Sequence, residues 1–172
     1  MVRAIAVLAA ATLSLQGQPS SAEQEPLRAT VRSVRVTKTL PIGRGRVMFF
    51  VDLDAAVKDS RETEVRISSE SVCVDGAHAR LDTGEWKTAL DGICFWTTEM
   101  VDHPCSVVPP GGTYMLSNVR ASLTLEESNG HSPSSVTARF HMVTTCKEGT
   151  AIPTEYVWTE PVKVDLPAIS AK

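Results

Sequence analysis

Short runs rich in Val, Thr, Ile and Phe recur along the chain between clusters of Gly, Pro, Asn and Asp, and helical periodicity is nearly absent. The cleanest alternation lies near the carboxyl end. There Val136, Ala138, Phe140, Met142, Thr144 and Cys146 share one parity, and the mostly polar Thr137, Arg139, His141 and Thr145 share the other. A strand with one buried face produces this pattern. Val65 and Ile67 alternate with Glu64, Arg66 and Ser68 in the same way, predicting a half-buried strand over 63–74. By contrast, Val47, Met48, Phe49, Phe50 and Val51 are apolar at both parities, which implies burial on both faces, or one face against an interface or cavity.

Further strands are expected over 29–37, 46–53, 113–125 and 155–166, with one or two more between Ala77 and Phe95. Pro41-Ile42-Gly43-Arg44-Gly45 punctuates a turn after the first, Pro109-Pro110-Gly111-Gly112 separates two others, and Pro161 marks an edge or bulge because it cannot donate to a ladder. Seven to nine short strands without helices predict an all-β chain, a two-sheet immunoglobulin-like β-sandwich.

The two ends and the cysteines refine this picture. Met1, Val2 and Arg3 precede an apolar stretch, Ala4 to Leu15, and Ser20 and Ala22 occupy small-residue positions before Glu23. Residues 1–22 therefore read as a secretory signal peptide and 23–172 as a single domain, secreted or held in the lumen of the secretory or endolysosomal pathway. No other apolar run reaches membrane-spanning length. Cys73, Cys94, Cys105 and Cys146 are an even set, and in an oxidising compartment two disulfides are expected. Three pairings are open. Cys94 and Cys105 flank the polar segment Asp102-His103-Pro104, so they are the expected partners, leaving Cys73 with Cys146.

The 17 Lys and Arg against 20 Asp and Glu give a net charge of −3, with both signs mixed along the chain and no sign of the basic face that nucleic acid demands. Motifs for a nucleophile elbow, a zinc protease, a phosphate loop or a dinucleotide site are missing, so no catalytic residue or cofactor is assigned. His78, His103, His131 and His141 are dispersed, with His141 on the polar parity of its strand. Cys94, His103 and Cys105 have the chemistry of zinc ligands, but export favours the disulfide and no metal site is expected. The turn Arg44-Gly45-Arg46 could touch an anionic headgroup or partner, although two arginines in a turn are more often simply solvated.

At Cys94 to Leu116 the sequence resembles the ML lipid-recognition family, which includes the ganglioside activator, Niemann-Pick type C sterol carriers and fungal phospholipid-transfer proteins. Cys94 closes one strand, Cys105 follows a short loop, and Gly112-Thr113-Tyr114 opens the next strand, as in the family's Cys-Pro…Gly-x-Tyr signature. Ser106 stands where the family usually has proline, and the family's cysteine in the first strand is missing. The resemblance implies a non-enzymatic module holding a fatty acyl chain, phospholipid or sterol between two splayed sheets. It implies Phe49, Val51, Val65, Ile67, Tyr114, Leu116, Phe140 and Met142 as cavity lining. The competing expectation is an immunoglobulin-like module that binds a protein partner and has no lipid cavity.

Overall fold

The computed structural model describes residues 27–81, 84–91, 102–126 and 133–168. The expected signal segment, Cys94 and His131 lie outside them. Ten strands and no helix occur among the described residues: β1 (Leu27–Gly43), β2 (Arg46–Lys58), β3 (Val65–Ile67), β4 (Val72–Arg80), β5 (Lys87–Asp91), β6 (Ser106–Val108), β7 (Thr113–Glu126), β8 (Ser135–Thr145), β9 (Thr154–Thr159) and β10 (Val162–Asp165).

The fold is all-β and has two sheets, divided very unequally. Eight strands form one sheet in the order β5-β4-β8-β9-β1-β2-β7, with β10 also paired to β8, while β3 and β6 form a separate two-stranded sheet. The large sheet coils until β4 and β5 pack against β7 at its other end. Register shifts within the β1–β2, β2–β7, β4–β5 and β4–β8 pairs supply the local twist that such coiling requires. Around the resulting interior, Phe49, Phe140, Leu27, Leu53, Ile67, Leu116, Leu123 and Met142 are fully buried.

The first hairpin is longer than the apolar pattern predicts. Strand β1 continues through Pro41 because only its first residues, Leu27 to Ala29, pair with β9. Beyond Ala29 it is an edge, where proline sacrifices no ladder bond. Gly43 pairs with Arg46 across a two-residue loop in which Arg44 and Gly45 both have positive φ, 54° and 66°. That is the turn whose twist matches a right-handed hairpin.

The strand expected over 63–74 is in fact two, assigned to different sheets. Between them lies Ser68-Ser69-Glu70-Ser71, whose hydroxyls compete for backbone bonds. The Ser68 amide donates to Thr144 Oγ1 at 3.1 Å, that hydroxyl donates back to the Ser68 carbonyl at 2.8 Å, and the Glu70 amide donates to Ser68 Oγ at 3.3 Å. Pro161 sits at the break between β9 and β10, where the Phe140 amide donates to Thr159 Oγ1 at 2.9 Å.

The cysteine framework differs from expectation. Cys105 bonds to Cys146, with Cα atoms 4.9 Å apart, so neither Cys94–Cys105 nor Cys73–Cys146 forms. The fold has this one disulfide among the described residues, not the two pairs expected of the sandwich, and no described cysteine is a free thiol. The physical reason lies before Cys105. Asp102-His103-Pro104 runs alongside the end of β8 instead of returning on itself: the Lys147 amide donates to the His103 carbonyl at 2.8 Å, and Pro104 bridges Lys147 in parallel. Cys105 is thereby laid beside the fully buried Cys146.

Candidate functional site

Where the coiled sheet brings its two ends together, it leaves a cleft of about 930 Å³. Its apolar wall comes from Met48 on β2, Ala79 on β4, Ala89 and Leu90 on β5, Leu125 on β7 and Val136 on β8. The small side chains at positions 79 and 89 fill little of this space. Exposed Arg46, Glu85, Lys87 and Glu126, together with half-buried Arg80, supply the charged part of the lining. Cations thus outnumber carboxylates here, on a chain that is acidic overall.

A smaller recess of about 320 Å³ lies across β5, sharing Thr88 and Leu90 with the cleft and adding Asp75, Gly76, His78, His141 and Trp158. Its polar groups are brought together by strand order. A bulge between Val74 and Gly76 on β4 accompanies Asp75, Gly76 pairs with His141 on β8, and His141 pairs with Trp158 on β9. His141 Nδ1 lies 2.5 Å from Asp75 Oδ1. The His141 ring stacks on Tyr156 at 5.8 Å and leans on Trp158 at 4.6 Å. Next along β8, the Arg139 guanidinium lies 5.0 Å from Trp86 and 5.1 Å from Trp158, and it donates to His78 Nδ1. Such cation–aromatic pairs add about 0.5–2 kcal/mol each. The shared parity of Arg139 and His141 is visible in the sequence; that Trp158 and Asp75 flank them is not, because it requires the order of β4, β8 and β9.

The eight residues expected to line a cavity lie elsewhere. Phe49, Val51, Val65, Ile67, Leu116, Phe140 and Met142 are buried in the core, and Tyr114 packs at its margin. None of the eight lines either cavity. Tyr114 serves to fasten the serine-rich break, since its hydroxyl accepts from the Ser69 amide at 3.2 Å. Burial alone would raise its pKa, but hydrogen bonds with Ser106 and Ser69 outweigh burial and hold it below the usual phenol value.

Among the described residues no group of three or more His, Cys, Asp or Glu is placed to hold a metal ion, and the Cys105 sulfur is committed to the disulfide. His103 instead meets Glu70, with Nδ1 at 2.6 Å from the carboxylate. No helix among the described residues is long and apolar enough to cross a membrane.

No family model matches the chain, and no curated protein matches it. Two solved structures align over most of its length. The Northeast Structural Genomics Consortium target SoR45 is 10% identical over 84% of this chain and 89% of that one, with a TM-score of 0.40. A protein from Archaeoglobus fulgidus is 12% identical over 81% of this chain and 99% of that one, with a TM-score of 0.23. Neither score reaches the level at which two chains share a fold.

Proposed function

We propose that this chain is a secreted binding module that holds an amphiphile, an apolar tail with an anionic head, in the cleft between the two ends of its large sheet. The observation that carries the reading is the composition of that cleft: an apolar wall from Met48, Ala79, Ala89, Leu90, Leu125 and Val136, with Arg46, Arg80 and Lys87 beside it against the two carboxylates Glu85 and Glu126. Its volume, about 930 Å³, falls within the range of sites that enclose small molecules. Each buried methylene of a tail would contribute about 0.8 kcal/mol, so an acyl chain needs no chemistry beyond an apolar wall. Arginine and lysine then select a carboxylate or phosphate head.

The lipid-recognition resemblance at Gly112-Thr113-Tyr114 implies the same ligand class, but the Cys94–Cys105 bridge it requires does not form and the location differs, so the reading rests on the cleft. The core residues named by that resemblance are packed against one another, whereas the cleft is open. A disulfide between Cys105 and Cys146 suits the oxidising compartment that the amino-terminal segment implies.

Native mass spectrometry and organic extraction of the purified full chain test the reading, together with displacement of the fluorescent fatty acid cis-parinaric acid. Saturable binding is expected, weakened about ten-fold or more by Leu125→Arg, which sets a charge into the apolar wall. A protein that carries no lipid, binds no fatty acid and instead retains a defined protein partner would establish the interaction-module reading and overturn this one.

A further inference from the structure

We infer that the β1–β2 hairpin docks the protein onto an anionic lipid surface. This deepens the amphiphile reading by naming where the ligand is collected, and in that respect rests on it. Over residues 27–51 the chain has six cations, Arg28, Arg32, Arg35, Lys38, Arg44 and Arg46, and no acid, although acids exceed bases in the whole sequence. The structure exposes all six on the hairpin. Arg35 reaches Asp52 at 3.7 Å; among the described residues none of the other five forms an ion pair. Lys38 lies 5.7 Å from the centre of the Phe50 ring and Arg46 pairs with Glu126 across the β2–β7 ladder, while Arg28, Arg32 and Arg44 have no such neighbour among the described residues.

Cations on an edge strand also discourage edge-to-edge association, and that accounts for Arg32 and Arg35. It does not account for the tip. There Leu40 is 42% exposed, Pro41 is exposed and Ile42 is half-exposed, within a few residues of Lys38, Arg44 and Arg46. Aliphatic side chains ringed by arginine and lysine match a bilayer interface, which offers acyl chains beneath anionic headgroups. A soluble polyanion would reward the cations and leave Leu40 and Ile42 without a partner.

Continuity with the cleft is the second observation. Arg46 and Met48, beside the turn of the same hairpin, line the cleft, and Leu40 pairs directly with Met48 across the ladder. A hairpin seated at the headgroups would set the cleft beside the surface from which a lipid leaves.

Co-sedimentation with vesicles tests the inference separately from ligand uptake. The protein is mixed with vesicles of phosphatidylcholine alone and with vesicles containing about one-third phosphatidylserine, while cis-parinaric acid binding is measured without vesicles. Binding to the anionic vesicles only is expected, and it should weaken as salt is raised. Each cation removed should lower the partition coefficient by about five-fold. The triple variant Arg32→Gln, Lys38→Gln, Arg44→Gly should then lose on the order of 100-fold. Glycine suits the positive φ at position 44, and none of the three residues lines the cleft, so fatty-acid binding should persist.

Leu40→Ser, which keeps every charge, should cost about ten-fold through lost insertion. Equal binding to both vesicle types, or Leu40→Ser partitioning like the parent, would overturn the inference. So would retention on heparin-agarose without vesicle binding, which would give the strip to a soluble polyanion. Vesicle binding that persists in a protein unable to take up fatty acid would uphold the docking surface and refute the cleft's role alone.

Discussion

The backbone N–H of Asn118 donates to Asp54 Oδ1 at 2.8 Å, and Ser33 Oγ donates to Asp54 Oδ2 at 2.7 Å, so one carboxylate joins β7, β2 and β1. Its position is set by coincident register shifts. Leu53 pairs with Val119 and Ala55 with Leu116, which leaves Ser117 and Asn118 opposite Asp54, and Asn118 takes a positive φ of 56°. The Asn118 amide, the Ser33 hydroxyl and the Arg35 charge hold the Asp54 carboxyl below its ordinary value of 3.8. A carboxylate depressed in the folded state contributes stability that is fully present above the unfolded pKa and is lost as pH falls through the folded one. Asp54→Asn keeps an accepting oxygen but cannot titrate. Its melting temperature should therefore fall less steeply than the parent's as pH drops below about 4. The remaining acid sensitivity includes Asp102, which Lys147 depresses in the same direction. Parallel acid limbs in thermal melts of the two proteins would contradict this account.

Phe140 is fully buried, and its amide is anchored to Thr159. Truncation to alanine should cost about 3–5 kcal/mol in urea unfolding, the range for a large side chain removed from a closed core. Were Phe140 the wall of a lipid cavity, the same truncation would cost far less and would enlarge the ligand range. Fatty-acid affinity should also be unchanged in Phe140→Ala protein that remains folded, since the cleft lies elsewhere.

How far the sequence leads is shown by four places. The strand is legible over Val136 to Met142 because its two faces differ in burial, and period-two alternation records that directly; from Val143 to Thr145 both faces are buried. The segment 63–74 reads as one continuous strand because a four-residue serine-rich break leaves the alternation of Val65 and Ile67 intact on one side and Val72 on the other. Parity cannot report a change of sheet. The cleft is not legible at all: its lining comes from five strands, and the decisive residues, Ala79 and Ala89, matter for what they omit. The basic run at 28–46 is plain in the residues but hidden by a net charge averaged over the chain.

Gly111 and Gly112 both lie in the turn that launches β7, and they are needed for different reasons. Gly111 has φ of +75° with open space around it, so alanine there meets only backbone strain, about 1 kcal/mol. At Gly112 a Cβ would stand 2.8 Å from the Pro109 carbonyl oxygen and 2.9 Å from Pro109 Cδ. The turn cannot yield easily, because the Gly112 amide donates to that carbonyl and the Asp59 amide donates to the Gly112 carbonyl. Gly112→Ala should therefore destabilise by about 1–3 kcal/mol, more than Gly111→Ala. Chemical unfolding of the two variants side by side measures the difference.

The disulfide gives the last prediction, because it ties a weak element to a strong one. Sheet β3–β6 has only three residue pairs, whereas β8 is paired along both edges. Cys105 immediately precedes β6 and Cys146 immediately follows β8, separated by 41 residues in sequence. On the loop-entropy model a closed loop of that size is worth about 4 kcal/mol. Digestion without reduction should yield a linked peptide pair containing Cys105 and Cys146; a Cys94–Cys105 link would refute the assignment. In a Cys105→Ser, Cys146→Ser variant the loss should be local before it is global. Amide exchange at Val65 to Ile67 and Ser106 to Val108 should accelerate first, since a ladder of three pairs is the only strand pairing those segments have among the described residues. The central amides of β8 should keep their protection until the large sheet itself unfolds, an order that hydrogen exchange with peptide-level readout resolves.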